Sequence, residues 1–159
     1  MLITEPTLLD RRRAAHEAGH CAAAIQFGVP IISCTIDPEH PHMLRDDYRA
    51  FDPAFGVEVM CVLCLAGPAA EEFFVGRIDD DADKGDIMQA REILARQYGP
   101  LQIGFALTRF KDAASGLVRS EWARRTIPKI ADELLRVGTL NAEQIAGLAR
   151  LDTVQRSSY

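Results

Sequence analysis

No stretch of this 159-residue sequence is uncharged and apolar for long enough to cross a bilayer. The longest, Val59 to Ala70, falls short of the roughly 20 residues a spanning helix needs and contains Gly67-Pro68. The N-terminus lacks the apolar core of a secretory leader. There is no surplus of positive charge either. A net charge of −5 and a pI near 5.3 speak against a nucleic-acid footprint. A soluble, cytoplasmic protein with no membrane partner is the expectation. Its four cysteines, Cys21, Cys34, Cys61 and Cys64, are then expected to be reduced.

What is present suits one folded domain over residues 1–159. Hydrophobic content is 48% and charged content 26%, ordinary values for a chain able to bury a sizeable core. The one basic cluster, Arg11-Arg12-Arg13, reads as a solvated helix face, with orientation of an acidic substrate as the alternative. Cys61-x-x-Cys64 has the spacing of half a zinc site or a redox pair. It lies in a very apolar helical stretch without a second pair, so core packing is the favoured reading.

The most informative segment is His16-Glu17-Ala18-Gly19-His20. Residues 7 to 27 carry apolar side chains at Leu8, Ala15, Ala18, Ala22 and Ile25, close to the helical period. Pro6 suits the helix start, and Gly28 with Pro30 gives a stop. On that helix His16 and His20 lie on one face, four residues apart, where both imidazoles can hold one Zn²⁺. Glu17 is one step around the helix, the place of a general base acting on a water at the metal.

Further along, 30–37 reads as a strand, and 37–54, with Pro38, Pro41 and Pro53, as a loop carrying His40 and His42, which are not chosen as ligands. A buried helix is expected over 55–75, broken or kinked near Gly67-Pro68. An acidic loop over 77–83 precedes a helix over about 83–98. Leu101 to Arg109 reads as a short extended piece. A long amphipathic helix follows over 116–137, with Pro128 inside it. Asn141 with Gln144 signals a capped last helix to about Leu151. The fold class is mainly α with one small β-sheet, an α+β domain.

Two histidines leave a catalytic zinc site one protein ligand short. Asp79, Asp80, Asp81, Asp83, Asp86, Glu71 and Glu72 are all candidates on chemistry alone. Asp83 and Asp86 also suit a helix N-terminus. Glu71 also suits a partner that holds a histidine ring from behind.

The ordered blocks His16–His20, Val29–Ile36, Leu65-Ala66-Gly67-Pro68-Ala69-Ala70-Glu71-Glu72, Gly76, Asp86-Ile87-Met88-Gln89-Ala90 and Thr139–Ile145 together resemble the peptidase domain of the FtsH family of AAA zinc metalloproteases. The resemblance implies a largely helical zincin-like domain in which His16, His20 and Asp86 hold Zn²⁺, with Asp83 as the register alternative. It implies a zinc metalloendopeptidase in which Glu17 activates the water. The sequence shows no phosphate-binding loop of an ATPase and no apolar span, so a domain without motor or membrane anchor is the expectation. It also has a shorter, proline-rich segment where the family places a substrate-binding edge strand, and Pro68 in place of a basic residue. The substrate class implied is a peptide or an already unfolded segment. A homo-oligomer or a separate ATPase partner is left open. The rival expectations are a zinc-binding regulatory module without efficient catalysis, and a structural helical protein in which the pentad is accidental.

Overall fold

The computed structural model describes residues 5–37, 39, 42–44, 54–76 and 84–150. The chain is mainly helical with one small antiparallel sheet. Its elements are α1 (Leu8–Phe27), β1 (Ser33–Thr35), β2 (His42–Leu44), α2 (Gly56–Phe74), α3 (Lys84–Leu94), α4 (Pro100–Val118), α5 (Glu121–Val137), β3 (Thr139–Asn141) and α6 (Ala142–Arg150).

Helix α1 is closed at both ends by its own sequence. Thr7 and Asp10 form a reciprocal capping box, each side chain accepting from the other's backbone N–H. Gly28 ends the helix in the left-handed conformation, at a φ of 70°. Nearly every buried position between these ends is small: Ala14, Ala15, Ala18, Gly19, Cys21, Ala22, Ala23 and Ala24. Small side chains let neighbouring backbones come close. A Cβ on Gly19 would stand 2.5 Å from the Ala66 carbonyl oxygen and 2.5 Å from Ala70 Cβ, so α1 and α2 meet there almost main chain to main chain.

Helix α1 is the wall shared by two cores. On one side Ala23 and Ala24 pack with Met60, Leu63 and Leu65 of α2, Ile93 and Leu94 of α3, and Leu107 and Phe110 of α4. On the other side Ala14, Ala18, Cys21 and Ala22 pack with Ile127, Ile130 and Leu134 of α5, Leu140 of β3 and Ile145 of α6. The sheet order is β2-β1-β3, with Cys34 opposite Met43 on one side and Leu140 on the other. Asn141 and Gln144 then cap α6 reciprocally at 2.9 Å in each direction, as their spacing predicts.

Several boundaries differ from the expectations. Leu101 to Arg109 is not extended but lies inside α4. Gly99 is that helix's N-cap and Pro100 its first residue, so the pair starts a helix as well as ending the turn before it. The helix expected over 116–137 is two helices, divided where Ser120 caps α5 by accepting from the Ala123 N–H at 3.3 Å. Pro128 stays within α5. Helix α2 runs unbroken through Gly67-Pro68. The helix expected over 83–98 ends at Leu94, and the strand expected over 30–37 pairs only at Ser33–Thr35. The segment read as a loop between 37 and 54 contains β2. The expected loop 77–83 and Leu151 lie outside the described residues. No helix among the described residues is long and apolar enough to cross a membrane.

Candidate metal centre

The pentad is in the middle of α1, and its two histidines point the same way. His16 Nε2 and His20 Nε2 are 3.1 Å apart. Asp86 comes to them from α3. It lies one, two and two turns before Ala90, Ile93 and Leu94, the buried stripe of that helix, so packing α3 against α2 turns the carboxylate inward. A hydrogen bond from Cys64 Sγ to Gln89 Oε1, 3.4 Å, helps to fix that packing. Asp86 Oδ2 is 2.9 Å from His16 Nε2 and 3.6 Å from His20 Nε2.

Among the described residues, these three form the one group of His, Cys, Asp and Glu side chains arranged to hold a metal ion. Ligands about 2.0–2.1 Å from a tetrahedral zinc stand about 3.3 Å apart. Three ligands on one face of an octahedral first-row ion stand about 3.0 Å apart. The donor triangle, with sides of 2.9, 3.1 and 3.6 Å, is the right size for either. Two imidazoles disfavour Ca²⁺ and Mg²⁺, which take oxygen ligands.

Space for an ion is made by Gly67 on α2. A Cβ at that position would sit 2.4 Å from His20 Nε2 and 2.8 Å from His16 Nε2, in the space in front of both donor nitrogens. The far side of each ring is held as well. His20 Nδ1 is 2.8 Å from the Leu63 carbonyl, which fixes Nδ1 as the donor and leaves Nε2 for the metal. His16 Nδ1 is 3.2 Å from Glu71 Oε2. Glu71 therefore stands behind His16 rather than in the donor triangle. Its carboxylate is 3% exposed, and Arg12 grips its other oxygen through Nε and Nη2.

The electrostatics follow from this crowding. Burial works against charge on His16, yet hydrogen bonds to Asp86 and Glu71 outweigh it and raise its pKa to about 10. His20 is opposed by burial and raised by the charge of Asp86. Burial pushes Asp86 up, but the charges and hydrogen bonds of the two histidines bring it well below the usual carboxylate range. Burial likewise opposes Glu71, which His16 and Arg12 pull down. Glu17 is buried at 5% exposure, close enough for its charge to act on both histidines.

The structure thus brings His16, Glu17, His20 and Asp86 to one place. Asp79, Asp80, Asp81, Asp83 and His40 lie outside the described residues, as does the side chain of His42. Glu72 is exposed on α2. Cys61 and Cys64 are buried in the core and form no disulfide, and burial pushes Cys61 up to about 12. Arg12 corrects the expectation of a solvated basic face, for its side chain is turned inward and only 19% exposed. It stands four residues before His16 and so shares its face, a signal the run of three arginines obscured. Gly67 and the Leu63 carbonyl were also missed, since neither a missing side chain nor a main-chain oxygen leaves a mark in a motif. Compared with family models and with curated proteins, the sequence matches none.

Proposed function

We propose that this protein is a zinc metallopeptidase that hydrolyses peptide bonds in peptides or unfolded segments. The observation that supports it is the meeting of His16, His20 and Asp86 around the cradle left by Gly67, with buried Glu17 on the same turn. His16, His20 and Asp86 would hold the ion. When bound, zinc polarises a scissile carbonyl and acidifies a water to near neutrality.

The chain's own groups do the rest. Glu71 and the Leu63 carbonyl keep both imidazoles in the tautomer that offers Nε2. Glu17 accepts the water's proton and returns it to the leaving amine, a role worth about 10²–10⁴-fold in rate. An extended substrate suits β2, which among the described residues lies at the edge of the sheet and against α1, where a strand can be added.

The test is metal content and cleavage of an unfolded reporter polypeptide by wild type, Asp86→Ala and Glu17→Gln. The expected result is about one zinc per chain in wild type and Glu17→Gln, and loss of zinc in Asp86→Ala. Cleavage falls by about 10²–10⁴ in Glu17→Gln. Undiminished cleavage by Glu17→Gln sinks the mechanism. Zinc without cleavage in wild type leaves a metal-binding interaction module instead.

A further inference from the structure

The metal centre carries more negative charge than a single divalent ion can cancel. Glu17, Glu71 and Asp86 are three carboxylates packed around two imidazoles. A divalent ion offsets two of those charges. Arg12 supplies the third, and it does so from one place only. Both Nε and Nη2 of its guanidinium converge on Glu71 Oε1, which leaves Oε2 to face His16 Nδ1. Arg12 and His16 are one turn apart on α1, and Glu71 bridges them from α2. The three side chains close a ring that neither helix could make alone. Its neighbours differ: Arg11 is exposed, and Arg13 stands 4.0 Å from the partly exposed Asp10 at the helix start.

We propose that Arg12 is a positioning residue for the metal ligand His16, acting through Glu71. It holds a buried carboxylate by one oxygen and so turns the other toward His16 Nδ1. Without Arg12, Glu71 Oε1 loses its partners in a setting nearly closed to water. An ionised carboxylate in that state is costly. The side chain then turns toward water, and His16 loses the acceptor that fixes its ring. Outer partners of this kind are worth about 10–100-fold in metal affinity. One layer further out, Arg12 is expected at the lower end, about tenfold. A lysine would restore the charge but not the paired N–H groups of the planar fork, so rescue is expected to be partial.

This inference rests on the metal-site reading, and one experiment separates the two. The zinc dissociation constant is measured by chelator competition for wild type, Arg12→Met, Arg12→Lys, Glu71→Gln and the Arg12→Met/Glu71→Gln double variant. The unfolding midpoint of each metal-free protein is measured alongside. The His16 Nδ1 proton is followed by NMR in the zinc-loaded forms. The expected result is about tenfold weaker zinc binding in Arg12→Met with loss of the protected His16 proton, partial recovery in Arg12→Lys, and no added effect of Arg12→Met once Glu71 is Gln. Zinc binding by Arg12→Met within twofold of wild type overturns the inference while the metal site stands. So does an Arg12→Met effect that persists undiminished in the Glu71→Gln background. No zinc binding by wild type overturns the metal-site reading, and the inference with it.

Discussion

Helix α1 has two seams, and they are built on opposite principles. Against α2, around the pentad, the backbones approach closely at glycine: Gly19 lies against the Ala66 main chain and Ala70, and Gly67 faces the two histidines. Against α5, small residues of α1 receive large ones, with Ile127, Ile130 and Leu134 pressed onto Ala14, Ala18, Cys21 and Ala22. At these glycines the first seam gains closeness. That closeness carries the Leu63 carbonyl to His20 and Glu71 to His16. The second seam buries aliphatic area, the main source of stability in a chain this size. One seam brings backbone and polar groups to the histidines, and the other is packed with aliphatic side chains.

The largest expected break of this contrast is Gly67→Ala. The new methyl group would occupy the cradle, so zinc affinity should fall by about a thousandfold or more, about 4 kcal/mol. The atoms it meets belong to side chains rather than to main chain, so the metal-free fold should survive. Chelator competition with circular dichroism checks both halves. An alanine variant that still binds zinc tightly would mean that the cradle is elsewhere. Next comes Ile130→Ala in the other seam. It removes a wholly buried side chain and should cost about 2–5 kcal/mol in denaturant unfolding, with little change in zinc affinity measured on the folded protein. Equal losses in both quantities would erase the distinction between the seams.

Gly19→Ala should cost about 2 kcal/mol. Its Cβ runs into main chain rather than a movable tip, and the overpacking exceeds the gain in helix propensity. It should weaken stability and zinc binding together, because it pushes α1 and α2 apart. An unfolding midpoint equal to wild type would contradict the close approach.

The smallest effect, per unit of pH, sharpens the same contrast. His16 has a folded-state pKa of about 10 against about 6.5 unfolded. A raised pKa contributes stability fully below about pH 6.5 and loses it as pH climbs through about 10. The metal-free protein should therefore lose that contribution across this window. Zinc needs neutral imidazoles, so its affinity should rise over the same window, by at most about tenfold per pH unit for each proton displaced. Titrations at pH 6 to 9 measure both trends. A flat zinc affinity would contradict the coupling between His16 and Asp86.

Local chemistry was legible in the sequence, and chemistry made by packing was not. The spacing of His16, Glu17 and His20 fixes their relation within one helix, so it could be read without a fold. Asp86 could not be told from six other carboxylates until the family resemblance singled it out. The structure turns it inward because it continues the stripe of Ala90, Ile93 and Leu94. The mainly helical class with a small sheet followed from periodicity. The strands β2 and β3 did not, because three-residue strands are made by their partners rather than by a pattern of their own. The start of α4 was misread since Gly99-Pro100 serves equally as an end and a beginning.

His20 and Asp86 are some 65 residues apart along the chain, yet their donor atoms are 3.6 Å apart in space. An ion held between them ties a long loop shut. None of the four cysteines forms a disulfide, so among the described residues no covalent bond does this work. By the chain-entropy relation used for disulfides, a loop of that length is worth about 4 kcal/mol of restraint on the unfolded chain. The cation would then act as a reversible cross-link, fastened when the protein is loaded and undone by a chelator.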